Sequence, residues 1–357
     1  MERALLITVD LGKRGEWTAE ERSRELAELA GSAGAKVVKE EIVRRHEICP
    51  ALFIGKGKAE ELSSFCAAEN VGVVIFNNEL TGTQAKNLAE ALGVKTIDRT
   101  QLILDIFARH ARSNEGKVQV ELAQLLYMLP HLTGKGVSLS RLGGGIGTRG
   151  PGEQKLEVDR RRIRARISKL ERDLDGLRKR RGMMRKRRER FAIPMIAIIG
   201  YTNTGKSTLL NALTGADAMT RDKLFATLDP TVRRFRMPSG QDTLFVDTVG
   251  FLNELPHDLI EAFKATLEEV TAADLILHVV DASHPKAIEQ SRAARKVLEE
   301  IGVQDKPVIT VLNKIDKVAP EVVGQLKRHF KESVAISALK REGFSELMDA
   351  ILLSRFK

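Results

Sequence analysis

Gly200-Tyr201-Thr202-Asn203-Thr204-Gly205-Lys206-Ser207 follows an apolar run at 195–199 and leads into a helical run at 207–213. The pattern G-x-x-x-x-G-K-[ST] between a strand and a helix is a phosphate-binding loop. Its glycines let the backbone close so that successive N–H groups point at phosphate oxygens, and the helix N-terminus adds a favourable dipole. Lys206 is expected to reach the β- and γ-phosphates. Ser207 is expected to hold Mg²⁺, with Thr208 beside it in the first turn.

Downstream, Asp247-Thr248-Val249-Gly250 ends another apolar run. Asp247 is placed to hold the Mg²⁺ directly or through water, and the Gly250 N–H to meet a γ-phosphate. Between the two motifs lies Phe225-Ala226-Thr227-Leu228-Asp229-Pro230. Thr227 is the candidate switch threonine on Mg²⁺, with Thr220 and Thr231 nearby as alternatives. Asn313-Lys314-Ile315-Asp316 closes a further strand. A carboxylate at Asp316 accepts from guanine N1–H and the 2-amino group; adenine has neither donor, so the carboxylate would be left unpaired. Ser337 and Ala338 follow, where a backbone N–H can approach guanine O6. Four motifs in this order predict GTP as substrate and hydrolysis to GDP as the reaction, with Lys206, Thr227 and Gly250 as the catalytic set.

Two positions bear on rate. After D-x-x-G many small GTPases carry a glutamine that orients the attacking water; here that position is Phe251. Slow intrinsic turnover that needs a partner is the expectation. Asn203, fourth in the phosphate loop, resembles the asparagine of GTPases that hold a potassium ion beside the phosphates; bracing of the loop is the alternative.

Working outward, the 357 residues divide into three regions. Residues 1–98 alternate apolar runs (4–9, 35–43, 71–76, 94–97) with helical stretches (19–30, 59–68, 81–92), which predicts parallel strands covered by helices. Thr18 and Glu21 have the spacing of a capping box. Residues 99–190 read as a helical hairpin: one helix from 100 toward 129, stopped by Pro130 and Gly134-Lys135-Gly136, then a loop with Leu142-Gly143-Gly144-Gly145-Ile146-Gly147, then a second helix from 153 to about 190. Leu156, Ile163, Ile167, Leu170, Leu174 and Leu177 recur at coiled-coil spacing and match a stripe of Val118, Leu122, Leu125 and Leu129, so an antiparallel pair is expected. Residues 194–357 alternate strand and helix again, with buried strands at 195–199, 243–246, 275–280 and 308–312. The fold class expected is α/β: an N-terminal parallel α/β region, a coiled-coil hairpin and a C-terminal Ras-like P-loop domain.

Charge is uneven. Residues 141–190 hold 19 Lys and Arg against 7 Asp and Glu, although the whole chain has a net charge of only +10. Runs such as Arg160-Arg161-Arg162 and Arg185-Lys186-Arg187-Arg188 repel themselves and suit a phosphate backbone, whereas a solvated helix face usually mixes signs. With 4% aromatic residues, stacking on single-stranded bases is disfavoured. Cys49 and Cys66 have no companion Cys or His pattern, so reduced thiols rather than a metal site are expected. No apolar run approaches the roughly 18 residues of a membrane helix, and no signal peptide is evident. A reducing cytoplasm and a monomer are the expected setting.

These residues resemble the HflX family of translational GTPases. The likeness is carried by Gly200-Tyr201-Thr202-Asn203, Asp247-Thr248-Val249-Gly250-Phe251 and Leu255-Pro256-His257-Asp258-Leu259. In the N-terminal half it is carried by Ile54-Gly55-Lys56-Gly57-Lys58, Asp98-Arg99-Thr100, Gln119-Val120-Glu121-Leu122-Ala123-Gln124-Leu125 and Arg149-Gly150-Pro151-Gly152-Glu153. The resemblance implies binding to the large ribosomal subunit and its rRNA through the hairpin and loop, and splitting or rescue of ribosomes stalled by stress. It also implies handling of ATP through the N-terminal region, a property of some members. A GTP-controlled assembly or hibernation factor that does not split ribosomes, or an RNA-binding module with a regulatory nucleotide domain, are the alternatives. The chain departs from the family at Thr204, where a small residue such as alanine is usual, and at Lys357, where many members continue into a further small domain.

Overall fold

The computed structural model describes residues 1–12, 15–132, 151–189, 193–215, 224–225, 229–253, 269–303 and 305–354. Lys13, Thr220, Thr227, the glycine-rich loop with Gly134 and Arg149, and the motif Leu255 to Leu259 lie outside the described residues, as do the side chains of Leu156 and Arg185 to Arg188. The chain forms two compact units, Met1–Arg109 with Lys117–Asp173, and His110–Gly116 with Leu174–Lys357.

The first unit has a four-stranded parallel sheet in the order β2-β1-β3-β4, with β1 Arg3–Asp10, β2 Lys36–Arg44, β3 Val73–Phe76 and β4 Lys95–Asp98. Helices α1 (Ala19–Ser32), α2 (Lys56–Ala68) and α3 (Gly82–Leu92) supply the crossovers. β1 is buried from Ala4 to Val9 and β3 along its whole length, because both faces of the sheet are covered there. The Thr18–Glu21 capping box is formed, and a second one, Thr81–Gln84, starts α3.

Two motifs quoted above are structural here. Lys58 reaches Glu41 and Glu61 at 2.7 Å each. Asp98 accepts from the Gln101 and Leu80 amides (2.9 and 3.2 Å). Arg99, 4% exposed, pairs with buried Glu25 at 2.6 Å.

The single helix expected from 100 toward 129 is two helices, α4 (Arg99–His110) and α5 (Asn114–His131). The break has a local and a distant cause. Ser113 accepts the Gly116 amide at 2.8 Å, the bond of an N-cap. Asp229 accepts the Arg112 and Ser113 amides at 2.9 and 2.8 Å and also the Ser113 hydroxyl. All of these residues belong to the second unit. Helix α5 runs through Pro130, which sits in its last turn.

The long helix α6 (Pro151–Glu189) buries Ile167 and Leu170. It is joined to α5 by a bidentate Arg166–Glu121 pair (2.7 and 2.8 Å). Glu121 is held below the usual carboxylate range by that guanidinium.

The second unit has a six-stranded sheet in the order β10-β9-β8-β5-β7-β6. The strands are β5 Met195–Gly200, β6 Thr231–Arg236, β7 Asp242–Asp247, β8 Leu275–Asp281, β9 Val308–Asn313 and β10 Ser333–Ala335. Only β6 among the described strands runs antiparallel to its neighbour. Central β5 is buried along its whole length, and its side chains alternate between two cores. Ile196 and Ile198 pack with Leu209, Leu210 and Leu213 of α7 (Lys206–Thr214). Met195, Ala197 and Ile199 pack with Ala294, Val297 and Leu298 of α8 (Ala287–Glu300). Helices α9 (Pro320–His329) and α10 (Phe344–Leu353) complete the unit. Strands β5, β7, β8 and β9 are mutually parallel neighbours, so their C-terminal ends, and the motifs that follow them, share one edge of the sheet.

Candidate nucleotide-binding site

The loop 200–207 turns from the end of β5 into the N-terminus of α7. Two glycines show why the backbone needs them. Gly205 has φ +91°, and a side chain there would collide with the Asn313 amide. At Gly250 a Cβ would lie 2.8 Å from Thr202 Cγ2 and 3.0 Å from Lys206 Nζ, so only glycine lets the chain after β7 pass this close. Asn203 also has positive φ (+60°), a conformation asparagine tolerates better than most residues, which is a backbone reason for its presence.

Lys206 is 6% exposed, and its ammonium donates to the Tyr201 carbonyl at 2.7 Å. Burial pushes its pKa down to about 8 against the opposing pull of Asp247, and Lys314 adds a smaller push in the same direction as burial. A phosphate would supply the negative charge this site lacks. Ser207 donates its hydroxyl to Asp247 Oδ2 at 2.5 Å, and Asp247 is 1% exposed. A hydroxyl and a carboxylate oxygen meeting at the mouth of a phosphate loop are the hard oxygen donors that would suit a magnesium ion. Among the described residues no cluster of three or more His, Cys, Asp or Glu offers a dedicated metal cage.

The segment after Asp247 is sewn to the phosphate loop. Thr202 N–H donates to the Phe251 carbonyl (2.8 Å), Phe251 N–H to the Gly200 carbonyl (3.0 Å), and Asn253 N–H to the Tyr201 hydroxyl (2.7 Å). Phe251 is 3% exposed and packs in the core with Val270 and Ala273. It is a core anchor, with nothing to offer an attacking water.

The second half of the site comes from β8 and β9. Asn313 donates to the Thr204 carbonyl at 2.8 Å and accepts the Ala338 amide at 2.9 Å, so it ties the phosphate loop to the loop after β10. Ala338 N–H is therefore turned to Asn313 rather than outward. Asp316 accepts the Ser337 hydroxyl at 2.6 Å, and that bond holds its carboxyl below the usual range, ionised and ready to accept. Lys314 adopts φ +63° and reaches Asp281 Oδ2 at 2.7 Å.

Asp281, absent from the sequence reading, also takes the Ser283 amide and hydroxyl (2.9 and 2.6 Å). Its signal is its place as the acidic end of an apolar run, directly opposite Asn313 in the parallel register. His278, buried in the middle of β8, is a neutral core residue. Burial first, then the nearby positive charges, lowers its pKa to about 3. Of the residues expected in the site, 200–208, Asp247, Gly250, Asn313, Lys314, Asp316, Ser337 and Ala338 all lie at this edge, whereas Thr227 lies outside the described residues.

Comparison with known proteins agrees with this geometry. Residues 195–314 match a model described as a 50S ribosome-binding GTPase. Residues 20–108 and 110–188 match the N-terminal and middle regions of a GTP-binding GTPase. The GTPase HflX of Caldanaerobacter subterraneus subsp. tengcongensis is 53% identical over 356 residues, covering 100% of this chain and 81% of the relative. That of Escherichia coli is 45% identical, covering 82% and 69%. The crystal structure of a GTP-binding protein from Sulfolobus solfataricus in complex with GDP is 27% identical with a TM-score of 0.53, covering 99% of this chain and 98% of that one. GTP binding and hydrolysis follow from the shared domain and from the relatives. The chain belongs to the HflX family of GTPases.

Proposed function

We propose that this GTPase acts on the large ribosomal subunit, gripping rRNA through its basic middle region when GTP is bound and releasing on hydrolysis, so that stalled ribosomes are split or rescued. The observation that carries the reading is α6. It exposes Arg161, Arg162, Arg164, Lys169 and Arg172 on a helix whose buried seam is narrow. Like charges four residues apart, as in Arg160–Arg164 and Arg162–Arg166, destabilise a helix by about 0.2–0.5 kcal/mol per pair. Of these, Arg166 has a carboxylate partner in Glu121. A polyanion compensates the rest. The matched model described as a 50S ribosome-binding GTPase supports the same partner.

Within the reaction, Lys206 neutralises the β- and γ-phosphates, Ser207 and Asp247 hold the Mg²⁺, and the Gly250 amide senses the γ-phosphate. Thr227 is the proposed further metal ligand. Bound Mg²⁺ supplies Lewis-acid stabilisation of the phosphoryl oxygens. The Asp316 carboxylate reads guanine. Because Phe251 is committed to the core, the attacking water needs help from a partner, and turnover on the isolated protein is slow. The cytoplasm is the setting this function requires. No helix among the described residues is long and apolar enough to cross a membrane.

Sedimentation of intact ribosomes with the protein and GTP, GDP or a non-hydrolysable analogue tests the proposal. Dissociation into subunits with GTP or the analogue is expected. Binding without dissociation favours the assembly or hibernation role, and nucleotide-independent binding rejects GTP control. Raising salt should weaken the complex with a log–log slope on the order of −0.7 to −0.9 per phosphate contact, and a flat response would remove the electrostatic argument.

We also propose that Asn203 assists a potassium ion beside the phosphates, supplying positive charge where an arginine finger would stand. Hydrolysis should then run faster in potassium chloride than in sodium chloride at equal ionic strength. Equal rates would leave Asn203 its backbone role alone.

A further inference from the structure

Thr204 is 1% exposed, at the centre of the phosphate loop. Its hydroxyl donates to the Tyr201 carbonyl at 3.0 Å, and Lys206 donates to the same oxygen at 2.7 Å. Its own carbonyl accepts the Asn313 side-chain amide at 2.8 Å. A carbonyl oxygen has two lone pairs, and at Tyr201 both are used. Tyr201, Thr202, Thr204 and Lys206 are all buried, so water is a poor substitute for a lost donor.

An alanine at position 204 would leave Lys206 as the side-chain donor to that carbonyl. A bound triphosphate draws on the same ammonium and so weakens its bond to the carbonyl. The threonine hydroxyl keeps the carbonyl satisfied and fixed in place while the ammonium is shared.

We propose that Thr204 is a positioning residue for Lys206: its hydroxyl holds the Tyr201 carbonyl on which the lysine is anchored, so that the ammonium engages the β- and γ-phosphates without leaving a buried acceptor unpaired. The inference rests on the reading of 200–207 as the phosphate loop. Thr204 itself touches no reacting atom and Lys206 stays in place for the chemical step, so the effect of losing the hydroxyl belongs to the binding of GTP.

The test uses the full chain with GTP and three variants. Thr204→Val keeps the shape and deletes the hydroxyl, Thr204→Ala deletes both without added bulk, and Thr204→Ser keeps the hydroxyl and deletes the methyl. Thr204→Val and Thr204→Ala should raise Kd and KM for GTP about fivefold, the value of one neutral hydrogen bond, with kcat within about twofold. Thr204→Ser should stay within about twofold of the unsubstituted protein, and the nucleotide-free melting temperatures of the valine and alanine variants should fall by no more than a few degrees, less than their loss of GTP-induced stabilisation. Unchanged KM in the valine and alanine variants overturns the inference. So does a serine variant as impaired as the valine, since the methyl would then be the part that matters. A rise in KM matched by an equal loss of nucleotide-free stability makes the role merely structural. Failure of the unsubstituted chain to bind GTP would instead reject the phosphate-loop reading, an outcome that no Thr204 variant can imitate.

Discussion

Replacing Asp316 with asparagine is expected to weaken GTP binding by about two to four orders of magnitude, since two hydrogen bonds to a charged acceptor are lost at about 1.5–3 kcal/mol each. The loss is more than a deletion. An asparagine amide turned toward guanine presents donors to the 2-amino group, itself a donor. Xanthine carries a carbonyl at that position and keeps N1–H, so the same amide can donate to O2 and accept from N1. Asp316→Asn should therefore prefer xanthosine triphosphate over GTP. The variant keeps an oxygen for the Ser337 hydroxyl, whose 2.6 Å bond is the main contact of Asp316 in the protein. The nucleotide-free fold should melt where the parent does. Titration with GTP, xanthosine triphosphate and ATP, alongside a thermal melt, decides it. Parent-like GTP affinity in the variant would mean that another group reads the base.

The strands that position the site were legible because they are buried on both faces and spell continuous apolar runs, as in 195–199, 275–280 and 308–312. Strand β6 escaped notice because Thr231–Arg236 is an edge strand with exposed Val232, Arg233 and Arg234, and a sheet edge imposes no apolar pattern. β10 has three residues, too few to show a period. The break between α4 and α5 carries a local signal in Ser113, but the carboxylate that completes it comes from Asp229, 116 positions away. The site divides in the same way. Motif order told which residues the topology gathers at one edge of the sheet. It could not tell that Asn313 braces the Thr204 carbonyl, that Asp281 holds Lys314, or that Thr204 and Lys206 share one acceptor. Those pairings are made by parallel register and loop closure, which place side chains together that no spacing relates.

Lys206→Met separates stability from function in opposite directions. Burial lowers the lysine pKa from 10.5 to about 8, so the folded, nucleotide-free protein carries a charge it disfavours. The sign follows from linkage: between about pH 8 and 10.5 the unfolded chain binds the proton and the folded chain does not, so stability rises with pH across that window. Below it the cost of the buried ammonium is present in full. Methionine has similar length and no charge, so at neutral pH the nucleotide-free variant should melt no lower than the parent, and up to a few degrees higher. With GTP the balance reverses. The ammonium touches the loop's own backbone, through Tyr201, and it lies where the β- and γ-phosphates would be cradled. Removing such a preorganised donor costs about 10²–10³ in rate at comparable sites. GTP hydrolysis in Lys206→Met should fall by at least that factor, and GTP should not raise its melting temperature as it is expected to in the parent. Misfolding cannot produce this pair of results, because it would lower both quantities together. A variant that melts as high as the parent and still hydrolyses GTP at the parent rate would remove Lys206 from the reaction and, with it, the role assigned to the loop.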